Sequence, residues 1–299
     1  MKIKNKISNC LESDSQEDTF KILSKLIFRA MPTSYIEGFQ KMMSDYSNIG
    51  WPKNPRLIFT SNSFMFDETF KFYVGMNIMK GSKYIVAQHG STYGTHKTLP
   101  FIEETTPDKF ITWGLNGERK NIVPGFNIKL KEKKIKSNNK GRILMVLESK
   151  PTRNNTWDSD YIYEKNWKSQ LNFLSVLPKK IKNLVTIRLH KASSYPEHTW
   201  YELSRLKKFD KHLNIDNGFK PINGQLKNSR IVIICYDSTL ILEAFSTNYP
   251  FIIFLPDGIN HLKDNVKIDY EMLIRSELLF TNYLDLKEKI EEVYLDTIS

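Results

Sequence analysis

Short runs of apolar residues, each ending in a polar or glycine-bearing step, alternate along this chain with longer stretches in which apolar residues recur every three to four positions. Runs of the first kind predict strands buried on both faces; stretches of the second kind predict amphipathic helices. Residues 1–50 are mostly helical in this sense: "EDTFKILSKLIFRAM" sets Phe20, Leu23, Leu26, Ile27 and Met31 at helical spacing. The pattern then changes. Residues 56–63, "RLIFTSNS", predict a strand and a turn. "FDETFKFYVGMNIMKG" predicts a helix stopped at Gly81. Strands follow at "KYIVAQHG", "KFITWG" and "NIVPGF".

A basic run at 129–142, "KLKEKKIKSNNKGR", separates this set from a second. It carries no interleaved aromatics and reads as a solvated linker, with a lipid- or polyanion-facing patch as the alternative. Beyond it, "RILMVLES", "LVTIRLH", "LNIDN", "RIVIICYD", "PFIIFLP" and "LLFTN" predict six strands. Helices alternate with them, including a long one at 161–183 and others at 197–209 and 269–277. This β-α order predicts a doubly wound parallel sheet. The first set, with three or four strands behind a helical lead, reads as a partial or shortened version of the same plan. The expected fold is therefore α/β with two Rossmann-like domains, at 1–135 and 136–299, the first of them short or truncated.

Composition narrows the class. The chain has 299 residues and 40% hydrophobic content, enough for two cores and too apolar for a disordered chain. No apolar run approaches the ~18 residues of a membrane span, and the charged N-terminus lacks the apolar stretch of a secretion signal. Cys10 and Cys235 stand far apart with no metal spacing, which fits a reducing cytoplasm. The net charge of +11 suits an anionic partner: a phosphorylated substrate, an anionic membrane face or nucleic acid.

Ligands of open parallel sheets bind outside the carboxyl ends of the strands. Those ends offer Ser61-Asn62-Ser63, Gln88-His89-Gly90-Ser91 and Trp113-Gly114 in the first set. In the second they offer Glu148-Ser149-Lys150, Arg188 with His190, and Tyr236-Asp237-Ser238-Thr239. Ser238 and Thr239 open a helix. There they serve either as a simple cap or as a phosphate site built on free amides and the helix dipole. Glu243 lies one turn further on the same face, where a carboxylate accepts a ribose hydroxyl or sits on the surface.

Three segments carry a resemblance. "DSTLILEAFSTNYPFIIF" resembles the nucleotide-sugar signature in the C-terminal domain of GT-B glycosyltransferases. "AQHGSTYG" and "IRLHKAS" resemble the His-Gly loop and Arg-x-His segment of CDP-glycerol glycerophosphotransferases and capsule-sugar transferases. "TSNSFMFDETF" together with "AQHGSTYG" is similar to motifs of a bacterial transferase family found in surface-polysaccharide loci. The resemblance spans about residues 56–290. It departs from the family at Ser91-Thr92, where further glycines are usual, and at Lys191, where proline is common.

The resemblance implies an inverting transfer from a nucleotide-activated donor without a metal or other cofactor. His89 is then the base and His190 a second catalytic candidate. Gly90, Arg188, Ser238, Thr239 and Glu243 hold the donor, with Lys150 and Arg153 on its diphosphate. Ser61, Asn62 and Glu68 lie on the acceptor side. Asp67 and Glu68 also read as residues that stabilise a helix N-terminus. No HExxH or CxxC is present to support a metal, and His96, His198, His212 and His261 fit no ligand spacing, so they read as structural or surface residues.

The expected function is a glycosyltransferase acting on a surface polysaccharide or its lipid-linked precursor. The expected location is cytoplasmic, with peripheral contact at the anionic inner membrane face and no nucleic acid partner. The alternatives are a CDP-glycerol or CDP-ribitol phosphotransferase and a truncated non-catalytic partner subunit.

Overall fold

The computed structural model describes residues 23, 26–27, 29–91, 95–97, 102–115, 119–127, 135–149, 160–195 and 200–295. The chain divides into two compact units. One comprises Met1–His89 with Phe101–Phe126, the other Gly90–Pro100 with Asn127–Ser299. Among the described residues no helix is long and apolar enough to cross a membrane.

The first unit holds a four-stranded parallel sheet in the order β1-β2-β3-β4: Leu57–Thr60, Lys83–Ala87, Lys109–Thr112 and Ile122–Pro124. Alternation along β1 buries Ile58 and Thr60 and leaves Leu57 and Phe59 about half exposed. The helix Glu68–Ile78 returns the chain from β1 to β2. Asp67 caps it, its Oδ1 accepting from the Phe70 amide at 2.9 Å. Phe72 of this helix meets Phe39 and Tyr46 edge-on at 5.5 and 5.4 Å, docking it on the helix Phe39–Asn48.

The second unit holds a six-stranded parallel sheet in the order β10-β9-β8-β5-β6-β7. The strands are β5 Arg142–Val146, β6 Val185–Arg188, β7 Asn214–Asp216, β8 Ser229–Ile234, β9 Phe251–Phe254 and β10 Leu279–Phe280. Sequence order reverses beside β5, which pairs with β6 on one side and β8 on the other. Both faces are covered. Ile143, Met145, Ile187 and Ile233 pack against Trp167 and Phe173 of the helix Asp160–Val176, and against Leu286 and Ile290 of the helix Tyr283–Leu295. Leu144, Val146, Val232 and Ile234 pack against Leu240, Ile241 and Ala244 of the helix Thr239–Thr247. This double coverage is why β5, β8 and β9 read as unbroken apolar runs.

Three boundaries differ from expectation. The helix expected over 161–183 ends at Val176, and a short helix Lys179–Lys182 restarts after Pro178, which has no amide hydrogen to continue the ladder. The helix expected from residue 197 begins at Glu202, after Tyr201 in the left-handed region at φ 60°. The helix expected over 269–277 begins earlier, at Asp264. Among the described residues the strands lie where the apolar runs place them; the helix expected over residues 17–31 and the first part of the basic run at 129–142 lie largely outside the described residues. Phe173 is fully buried in the larger core cluster. Phe173→Ala should cost about 3–5 kcal/mol of unfolding free energy, seen as a lowered midpoint in urea without a changed slope.

Candidate functional site

In the first unit, parallel β1 and β2 end side by side, with Thr60 opposite Val86, so Ser61, Asn62 and His89 follow the same carboxyl rim of the sheet. Gln88 secures that rim. Its backbone amide donates to the Ile111 carbonyl at 2.8 Å, and its side-chain Oε1 accepts from the Trp113 amide at 2.8 Å. The imidazole of His89 is half-buried. Asn62 precedes the short helix Ser63–Phe66 without capping it through its side chain; the Ser63 amide donates instead to Thr60 Oγ1 at 3.2 Å. Glu68 is engaged within its unit. Its carboxylate accepts from Lys71 Nζ at 2.6 Å and from the Tyr35 hydroxyl. The Lys71 ammonium, then the Tyr35 hydroxyl, hold this carboxyl below its usual range, and the hydrogen bond to the Glu68 carboxylate, then burial, push the Tyr35 hydroxyl up to about 12.

The second unit carries a cavity of about 470 Å³ beside the carboxyl ends of β5, β6 and β8, where the strand order reverses. Arg188, His190, Thr239 and Glu243, four of the residues expected to hold or process the donor, all line it. Lys191, Phe219 and Lys220 line it as well. Among the described residues its charged lining comprises Arg188, Lys191, Lys220 and Glu243, a balance that suits an anion.

Each of these groups is held for a local reason. β6 stops at Arg188, so the residues after it leave the strand alternation. His190 caps the 3₁₀ turn Lys191–Ser194, its Nδ1 accepting from the Ala192 amide at 3.1 Å. That turn brings Lys191 to the cavity, although simple strand alternation would send it to the opposite face. The Arg188 guanidinium donates to the Asp216 carboxylate and, at 2.7 Å, to the Lys220 carbonyl. It therefore shapes the loop after β7 as well as facing the cavity. Gly218 in that loop has φ +76°, and a Cβ there would come within 2.3 Å of the Leu189 carbonyl oxygen. The result is a fixed turn on which Phe219 stands 61% exposed at the cavity wall.

The helix Thr239–Thr247 starts beside the same cavity. Ser238 occupies its N-cap position and is buried, yet its hydroxyl makes no capping bond. Thr239 Oγ1 accepts from the Ser91 amide at 3.1 Å, and a Cβ at Gly90 would lie 3.4 Å from the same oxygen. The segment that follows His89 in the chain thus packs on the helix start within the second unit. Lys150 and Arg153 lie outside the described residues, as does His198.

Sequence spacing missed one further cluster. Asp237, between β8 and this helix, is approached by His96 and His261 and by the Tyr270 hydroxyl. Residues 96, 237 and 261 share no linear motif, and only the fold brings them together. Phe219 and Lys220 were missed because an aromatic and a lysine in a turn carry no pattern of their own.

The model of the LIC12162 family transferases matches residues 1–298. The chain belongs to that family. No curated protein matches it.

Two outcomes test the geometry of this transferase's second unit. Gly218→Ala forces a Cβ into the Leu189 carbonyl and a non-glycine residue into positive φ, so it should lower stability by roughly 1–3 kcal/mol, read by urea unfolding. Partial burial, then the charges of Lys191 and Arg188, lower the His190 pKa from its ordinary value. The imidazole should therefore be neutral at pH 7 and gain charge only below the unperturbed value of about 6.5. An NMR titration should show that lowered midpoint, and Lys191→Gln should move it upward. A midpoint at or above the unperturbed value would contradict the arrangement.

Proposed function

We propose that this transferase moves a sugar from a nucleotide-sugar donor to a cell-surface polysaccharide or its lipid-linked precursor, using a GT-B-type pair of Rossmann-like domains. The observation that carries the reading is the cavity at the strand-order reversal. Arg188, Lys191 and Lys220, the start of the helix Thr239–Thr247 and the carboxylate of Glu243 all meet there.

A nucleoside diphosphate matches this set group by group. The diphosphate takes the helix N-terminus and the cations, since free amides and the helix dipole favour negative charge. Glu243, on the face of Thr239 one turn along, accepts a ribose hydroxyl. Phe219 offers an aromatic face to the base. In the proposed reaction His89 takes the proton of the acceptor hydroxyl, and the acceptor oxygen attacks the anomeric carbon. The bond from that carbon to the diphosphate oxygen breaks, and its electron pair leaves with the nucleoside diphosphate. The cations stabilise the developing charge. The net charge of +11 supports a cytoplasmic protein that meets the anionic inner membrane face, where lipid-linked acceptors lie.

A thermal-shift and calorimetry screen of UDP-, GDP-, CDP- and CMP-sugars should find a donor that raises the melting temperature by mass action. Thr239→Val and Glu243→Ala should each weaken that donor about tenfold, the loss of one hydrogen bond to a charged or polar group, while His89→Ala should abolish transfer with donor binding retained. Unchanged donor affinity in both Thr239→Val and Glu243→Ala would place the donor elsewhere. Binding confined to CDP-glycerol or CDP-ribitol would turn the reading to alditol-phosphate transfer.

A further inference from the structure

Asp237 stands just after β8 with nine-tenths of its side chain buried, and among the described residues its ion-pair partners are two histidines. Both approach the same oxygen: His96 Nε2 lies 3.1 Å and His261 Nε2 3.3 Å from Asp237 Oδ2. The two rings meet edge-on with centroids 4.8 Å apart. Tyr270 sits behind the carboxylate, its hydroxyl 3.1 Å from each oxygen.

The backbone holds this arrangement. An isolated antiparallel bridge joins His96 to Leu262. The Lys97 amide donates to the His261 carbonyl at 2.9 Å, and the Lys263 amide donates to the Thr95 carbonyl at 2.8 Å. Leu262, between the bonded positions, is fully buried and anchors the pair. Three segments remote in sequence are thereby fastened around one point within the second unit.

We propose that His96, Asp237 and His261 form a site for a divalent transition-metal ion of the zinc class. Tetrahedral coordination at about 2.0–2.2 Å sets ligand atoms about 3.3 Å apart, and the two nitrogen–oxygen separations already match that spacing. One ligand atom from each of the three residues lies within 4.8 Å of the others, and a ring rotation must shorten the remaining edge on binding. Two imidazoles and one carboxylate favour zinc, cobalt or nickel over magnesium or calcium, which prefer all-oxygen shells. Tyr270 holds the ligand carboxylate from outside, as supporting hydrogen bonds do around metal ligands. The ion supplies positive charge to a buried carboxylate, a group that is costly to bury without compensation. Three protein donors leave a position for water or an anionic oxygen. The site's structural effect is to pin residues 95–97 and 261–263 to the end of β8.

The competing arrangement is a hydrogen-bonded clasp in which each ring donates an Nε2 proton to Asp237. His→Gln separates the two, because the glutamine amide still donates to the carboxylate but is a poor ligand for zinc. Protein stripped with EDTA and freed of chelator should bind one equivalent of Zn²⁺ by calorimetry and develop a visible absorption band with Co²⁺. Excess Mg²⁺ should not compete. His96→Gln and His261→Gln should each weaken Zn²⁺ binding at least tenfold, with metal-free melting temperatures near that of the unaltered protein. If His96→Gln fails to fold, His261→Gln, on the more exposed ring, decides the matter. Absence of Zn²⁺ binding, or binding that survives His261→Gln, overturns the site in favour of the clasp. The readout is metal binding itself, so its failure leaves the donor reading of the neighbouring cavity standing.

Discussion

In the second unit the helix that leaves β5 packs on one face of the sheet and the helix that leaves β8 packs on the other. Adjacent strands whose following helices part in this way cannot have their shared end closed by either helix. A gap at the carboxyl rim follows from the connectivity of a doubly wound sheet. The cavity occupies that gap, lined from the ends of β5, β6 and β8, from the loop after β7 and from the first turns of the helix Thr239–Thr247. The buried apolar strands are thus what make the opening permanent, because the two cores that fix the helices also hold them apart.

Charge is then arranged around the gap by a few local commitments. Arg188 is partly occupied by Asp216 and by the carbonyl of Lys220, so its first effect is on loop shape. That loop, forced through Gly218, carries Phe219 and Lys220 to the wall. The end of β6 does similar work: its short 3₁₀ turn redirects Lys191 and leaves His190 with Nδ1 as an acceptor. Positive charge near the helix start therefore comes from backbone turns as much as from the strands themselves. An anionic ligand gains from several weak contributions placed in advance, at little cost in ordering.

The same economy appears around Asp237. One carboxylate collects two imidazoles and a phenol, while a single antiparallel bridge fixes the two segments that carry the histidines. Ser91 and Gly90, at the head of one of those segments, rest on Thr239. Ser91 is thereby held at Thr239 and His96 at Asp237. Thr239 opens the helix that borders the cavity, and Asp237 stands two residues before it.

Apolar runs and helical periodicity placed the ten strands found among the described residues, and most of their helices, in the right order, because a strand buried on both faces has little freedom except to be apolar. The sequence also marked the strand ends as polar, and with them Arg188, His190, Thr239 and Glu243. Helix limits were less legible where a single proline or a left-handed residue, such as Pro178 or Tyr201, interrupts an otherwise consistent pattern. What only the tertiary structure decided is which groups meet. Asp216 takes up Arg188, Glu68 is spent on Lys71 and Tyr35, and His96 finds His261 across a separation that no spacing rule reads. Periodicity reports how one segment faces its own core. It carries nothing about the partner that a fold brings from a hundred residues away.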